Sequence, residues 1–282
     1  KATHSRRTQP VMTTVVGMKA LASSGVVLPL PHAAGMQSSL PILEKNYKFS
    51  KVFFWGKIMG QKGEYLVAKG IEESYATKKF FYCTDGVTWS QLPAMTAEMA
   101  EAVAKVSTFG LQLSGDISAA LEIPADPVPE GEETDEPPEP KFVTEIERLA
   151  VIVETIDNEC AMCPAGALMQ KADHTIVPSP TYAGQSFDVA SNIKSFVFIN
   201  QPKPTDVAAP ALKAQTDFLT SCADVVPSGA LTSSFDAGSN VVTWRSLLYP
   251  GFLAYSCVGM PVHGCCYVGT GLKNTDIAFM LP

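Results

Sequence analysis

Cys160-Ala-Met-Cys163-Pro is the one stretch of this sequence whose residue types and spacing could carry chemistry. A C-x-x-C pair works as a redox dithiol when a helix N-terminus lowers its thiol pKa. Here the pair follows the C-terminal end of an expected helix, where the dipole disfavours a thiolate. A zinc site would need two further ligands. Cys265, Cys266, His174 and His263 are available, at no recognised spacing. The simpler state is a set of small, buried, hydrophobic cysteines.

Gly269-Thr-Gly-Leu-Lys-Asn274 superficially suggests a phosphate loop. That chemistry needs a longer glycine-to-lysine spacing and a hydroxyl after the lysine, so that amides, ammonium and hydroxyl converge on phosphate and metal. Leu272 separates Gly271 from Lys273, and Asn274 replaces the hydroxyl residue. The glycines more simply permit a tight bend. His4 and His32 lie in a weakly patterned N-terminus, and His174 and His263 in expected loops. Neither G-x-S-x-G nor H-E-x-x-H occurs. No catalytic, cofactor-binding or metal-binding residue is therefore assigned, no cofactor is implied, and no enzyme is expected.

The elements around these motifs follow from pattern. Val52–Met59 and Glu64–Ile71 are aromatic and β-branched runs flanking Gly60-Gln-Lys-Gly63, a hairpin signal. Lys79–Cys83 and Val87–Leu92 flank Thr84-Asp-Gly86, a second one that Pro93 ends. Thr96 can cap a helix carrying Met99, Val103 and Val106 on one face, with Gly110 at its exit. Thr144-Glu-Ile-Glu147 fits a capping box, and Leu149, Ile152, Val153 and Ile156 form one stripe of a helix running to about Asn158. Short helices are expected from Ser186 to about Ser195 and over Leu212–Ser221. Strands return at Ala230–Phe235, Asn240–Leu248, Phe252–Val258 and Cys265–Gly269. Strands at both ends with helices between predict an α+β fold with mainly antiparallel sheet.

Domain organisation reads as an N-terminal helix-containing extension over 1–40, then a single α+β domain over 41–282 interrupted by an acidic, proline-rich segment at 122–140. The extension's helix should span about Val11–Ser24, with Gly25 as its stop. Its basic, acid-free, serine-containing start is also the composition of a transit peptide. Residues 122–140 hold eight acidic residues, six prolines and no Lys or Arg, which predicts a solvated loop or an acidic docking segment.

The 282 residues are 46% hydrophobic, enough for a sizeable core. Net charge is -7, but setting the eight acids of 122–140 aside leaves 20 acidic against 21 basic residues. A nearly neutral body has no sustained field for a polyanion, so no nucleic-acid partner is expected. No apolar run approaches a membrane span; Val26–Met36 is broken by Pro29, Pro31 and His32. Seven cysteines without framework spacing and no Asn-x-Ser/Thr site favour a reducing, cytosolic-type compartment.

The chain resembles the radial spoke head protein 9 family from about Leu40 to Leu281. Collinear landmarks carry the resemblance: Asn46–Gly60, Tyr65–Gly70, Thr88–Pro93, Ile156-Asp157 and Pro164-Ala-Gly-Ala-Leu168. The most specific are Arg245-Ser-Leu-Leu-Tyr-Pro-Gly251 and Tyr267-Val-Gly-Thr-Gly-Leu-Lys-Asn274. The acidic segment falls in a region of low resemblance, Cys160 and Cys163 fall where the family pattern is simply apolar, and the first ten residues have no counterpart. The resemblance implies a non-enzymatic structural subunit of the spoke head in the motile cilium or flagellum axoneme, a cytoskeletal location. Its implied partners are radial spoke head proteins 4, 6 and 1, with the central apparatus within reach. Trp55, Trp89, Trp244 and Tyr249 could then anchor either core or interface, with core favoured. Two alternatives remain: a cytosolic redox or zinc protein built on Cys160 and Cys163, and a peptide-binding adaptor outside the axoneme using a sheet edge.

Overall fold

A computed structural model describes residues 21–106, 111–124, 142–200, 218–225 and 227–276. The aromatic and β-branched runs after residue 50 form β1 (Lys51–Met59) and β2 (Glu64–Ile71), paired antiparallel as the hairpin signal predicts. β3 (Lys78–Cys83) continues the meander, and β4 (Ser90–Gln91) ends it as a strand much shorter than expected. Toward the C-terminus, β11 (Leu231–Asp236), β12 (Val241–Ser246), β13 (Phe252–Cys257) and β14 (His263–Gly269) form a second antiparallel meander.

The two meanders share one eight-stranded sheet, ordered β11-β12-β13-β14-β1-β2-β3-β4. Their junction is the parallel pair β1–β14, which registers Gly56, Lys57 and Ile58 with Tyr267, Val268 and Gly269. The α+β class and the mainly antiparallel pairing stand as expected from the sequence. Side chains alternate between two cores across this sheet. Ile58, Tyr65, Val67, Phe80, Val242, Trp244, Phe252 and Tyr267 enter one; Val52, Leu66, Ala68, Phe81, Val241, Leu253 and Cys266 enter the other.

A helix over Leu30–Tyr47, α1, covers the second face and was not anticipated. Pro31, Gly35 and Pro41 read as breakers. Pro31 lies in the first turn, where no intrahelical donor is lost, so only Pro41 is truly interior. Met36, Leu40 and Leu43 bury one stripe, and Ser39 Oγ donates to Gly86 O at 2.9 Å. α1 runs across residue 40.

α2 (Ala97–Val106) starts as expected, with Thr96 Oγ1 accepting from the Met99 amide. α3 (Glu145–Cys160) carries the full capping box between Thr144 and Glu147. It presents Leu149, Val153 and Ile156 to the first core and runs to Cys160, past the expected Asn158. Three two-stranded ladders complete the described fold. β5 (Ala120–Glu122) pairs with β6 (Phe142–Thr144), β7 (Met162–Pro164) with β10 (Phe196–Phe198), and β8 (Leu168–Gln170) with β9 (Ile176–Pro178).

The expected helix from Ser186 shortens to α4 (Phe187–Ala190) and a separate 3-10 turn, Ile193–Ser195. The Ser186 side chain makes no capping bond. Most of the helix expected over 11–24 lies outside the described residues; Ala22–Ser24 form a 3-10 turn closed by Gly25 at φ +84°. Gly110, nearly all of the acidic segment, and most of the short helix expected over Leu212–Ser221 also lie outside them; Ser221 itself opens a 3-10 turn.

Candidate functional site

The C-x-x-C pair lies inside the protein. Cys160 ends α3 with its thiol 3.7 Å from Ser246 Oγ, and Cys163 is in β7. Both are buried, and burial pushes each thiol up to about 12. The thiolate that redox and metal chemistry require is thus disfavoured at neutral pH. His263, Cys265 and Cys266 share β14, while His174 sits in the β8–β9 turn at φ +63°. Among the described residues, no three His, Cys, Asp or Glu side chains are grouped to hold a metal ion. His32 is on α1, 3.5 Å from Glu64 Oε1, and His4 lies outside the described residues.

The glycine-rich bend after β14 is a fastening. Tyr267 Oη accepts from the Gly271 amide at 2.8 Å. Gly271 has φ +80°, and a Cβ there would press on Ile152 of α3 at 2.9 Å, so glycine lets the bend lie on the helix. Lys273 Nζ pairs with Glu159 Oε2 at 2.8 Å, and Tyr249 Oη donates to that same oxygen at 2.9 Å. The lysine of the apparent phosphate loop is therefore occupied by α3's own carboxylate. The Asn274 side chain donates to Leu247 O at 3.1 Å, joining the bend to the chain after β12.

The most unusual chemistry escaped the sequence reading. Asp157, on α3's last turn, is 1% exposed. Its carboxylate receives Lys69 Nζ at 2.7 and 2.8 Å, Lys78 Nζ at 2.6 Å and Trp55 Nε1 at 3.0 Å. Lys78 also reaches Asn158 Oδ1 at 2.6 Å. Burial alone would raise this carboxyl, but the two ammoniums hold it down to about 2. Both ammoniums also approach the Phe80 ring, at 6.0 and 5.8 Å from its centroid. A second buried pair sits at the other end of α3. Arg148 Nη1 donates to Glu145 Oε2 at 3.1 Å and Arg148 Nη2 to Leu111 O at 2.7 Å. Ser114 Oγ and the Gly115 amide complete Glu145, each at 3.1 Å. Sequence separations of 88 and 79 residues hide the Asp157 cluster from any local pattern. The one available signal was a lysine inside an otherwise apolar strand, Lys69.

Three of the four aromatics that could have served core or interface, Trp55, Trp244 and Tyr249, are buried. Trp89 is partly buried and donates from Nε1 to Ser39 Oγ at 2.9 Å. Everything positioned here fastens α1, α3 and the two meanders to one another.

No family model matches the chain. It is 32% identical over 266 residues to a radial spoke head protein 9 homolog of Danio rerio, covering 92% of this chain and 95% of that protein. The Homo sapiens homolog is 30% identical over 273 residues, covering 95% and 98%. The Xenopus tropicalis homolog is 26% identical over 276 residues, covering 95% and 99%. The chain belongs to the radial spoke head protein 9 family. The resemblance seen in the sequence thus extends almost end to end. Within this member of the family, the two most specific landmarks, Arg245–Gly251 and Tyr267–Asn274, meet where the bend after β14 joins Leu247, Leu248 and Tyr249 to α3.

Proposed function

We propose that this chain is a non-catalytic structural subunit of the radial spoke head of the 9+2 axoneme. It supports spoke-head assembly and, through it, the mechanical regulation of dynein-driven beating. One observation carries the reading: near full-length similarity to several proteins named as radial spoke head protein 9 homologs. The fold supports it physically. An eight-stranded sheet covered on both faces and cross-fastened at Asp157, Arg148 and Glu159 is a stiff plate suited to bearing load. The buried, proton-holding thiols favour packing over redox chemistry.

Its partners in this reading are other radial spoke head proteins, namely head proteins 4, 6 and 1, with the central apparatus within reach. Its place is the cytoskeleton of the motile cilium or flagellum. The sheet, α1 and α3 act as one domain that includes residues before 41, because Met36 and Leu40 of α1 belong to the same core as β1 and β2.

The experiment is fractionation of demembranated motile cilia carrying a tagged copy, followed by crosslinking mass spectrometry on the insoluble axoneme. Retention with crosslinks to other spoke-head proteins is expected. Complete release with detergent, while other spoke proteins stay bound, would overturn the reading. One observation favours a second reading, the adaptor. β11 ends the sheet with Thr232–Phe235 exposed, and among the described residues no strand pairs with its outer edge. Phe235 stacks edge-on with the exposed Phe187 at 4.6 Å, an anchor for an added strand. Capture outside the axoneme, with loss of capture on Phe235→Asp, would favour that reading.

A further inference from the structure

The β1–β14 junction closes at one end only. Gly56–Ile58 meet Tyr267–Gly269, but Lys51–Phe54 pair with β2 alone and His263–Cys266 with β13 alone. The two strands fork, and a cavity of about 160 Å³ lies in the fork. Phe53, Trp55, Ile71, Tyr75, Met162 and Val262 make most of its wall apolar. An apolar space of about 150 Å³ takes a body the size of benzene.

The charges in the wall do not balance. Lys51 and Lys69 line the cavity with Asp157, the one carboxylate among its described lining residues. That carboxylate is already saturated by Lys69, by Lys78 behind it and by the Trp55 indole. Lys69 is only 8% exposed, so two ammoniums share one carboxylate in a largely dry site. Buried positive charge without a counter-charge is costly and draws an anion. Tyr182 Oη, also in the lining residues, is buried beside Ser256 Oγ and adds a hydroxyl donor to the wall.

We propose that the fork is a binding site for a small monocarboxylate whose apolar body is about one ring in size. The body sits among the aromatic and aliphatic walls. The carboxylate lies toward Lys69 and the Tyr182 hydroxyl and supplies the second negative charge. The site is independent of the spoke-head reading; either can fail without the other.

The test uses the full chain at low salt, with isothermal titration and saturation-transfer NMR. The probes are benzoate, benzyl alcohol, benzylammonium and acetate. Benzoate is expected to bind at least tenfold more tightly than benzyl alcohol or acetate, with no saturable binding of benzylammonium. Lys69→Met is expected to reduce benzoate affinity at least tenfold and leave benzyl alcohol unchanged. Ala167→Phe, which fills the cavity, should abolish both. Equal affinity for benzoate and benzyl alcohol, or saturation by none of the probes, overturns the proposal. The panel on the unaltered chain decides by itself if either variant fails to fold.

Discussion

The two ends of the β1–β14 junction are built from the same two strands and differ in what surrounds them. At the closed end the backbones approach closely: a Cβ on Gly56 would run into the Tyr267 carbonyl oxygen, so only glycine fits. Tyr267 is fully buried beside Trp55, with ring centroids 5.5 Å apart. At the open end a bulge between Phe54 and Gly56 shifts β1's register against β2, and the strands separate. Beside that end lies the cluster of Asp157 with Lys69, Lys78 and the Trp55 indole, which ties α3 to β1, β2 and β3. One end depends on main-chain geometry, which tolerates no side chain. The other is lined by charge, which responds to protons and to ligands. Among the described strands, this junction alone joins the N-terminal meander to the C-terminal one within the sheet.

The sharpest way to break the closed end is Gly56→Val. Its side chain must displace backbone, so a loss of about 4 kcal/mol or more is expected, read by denaturant unfolding or as failure to recover folded protein. A near-native midpoint would mean the junction is dispensable. Asp157→Asn attacks the open end and leaves two ammoniums buried without a full counter-charge, at an expected cost of about 3–5 kcal/mol. The cluster also predicts an acid limb. The folded carboxyl, at about 2, lies below its ordinary 3.8. Its contribution is therefore complete above about pH 4 and is lost as pH falls toward 2. Asp157→Asn should flatten this part of the stability profile, whereas Gly56→Val should lower the profile without changing its shape. An unchanged acid limb in the Asp157 variant would assign acid sensitivity elsewhere.

The contrast between the two ends also marks what could be read in advance. The β1–β2 hairpin, the Thr144–Glu147 box and the C-terminal meander were legible because each is written in neighbouring residues. α1 was hidden because Pro31 and Pro41 count as breakers until the packing of Met36, Leu40 and Leu43 outweighs them. The parallel junction was invisible because over 200 residues separate Gly56 from its register partner Tyr267, and no local pattern encodes that pairing. Asp157 was visible only as part of a helix end; its lysines come from β2 and β3. The Cys160–Cys163 motif and the burial of its small, hydrophobic cysteines were both legible; the neighbours that surround them were not.

Thr144→Ala probes the end of α3 far from the junction. It removes the hydroxyl that accepts the Glu147 amide at 3.3 Å and half of the reciprocal cap. About 1 kcal/mol should be lost, with neither the acid limb nor benzoate binding altered. A change in either would mean that α3's start and its Asp157 end are mechanically coupled.

The smallest effect belongs to deletion of residues 125–139, and its sign is informative. Glu122 of β5 and Phe142 of β6 are direct partners in an antiparallel ladder, so the chain leaves and re-enters at one place. The deletion joins Pro124 to Pro140 and leaves Ile123, Pro124, Pro140 and Lys141 as a four-residue connection. Four residues close a hairpin, and each halving of a flexible loop returns about 0.6 kcal/mol of closure entropy. Shortening the connection by a little over two halvings should leave stability unchanged or raise it by about 1 kcal/mol. A large drop in melting temperature would show that the acidic segment braces the core. Its absence, combined with the losses at Gly56 and Asp157, would confine the mechanical strength of the plate to the junction.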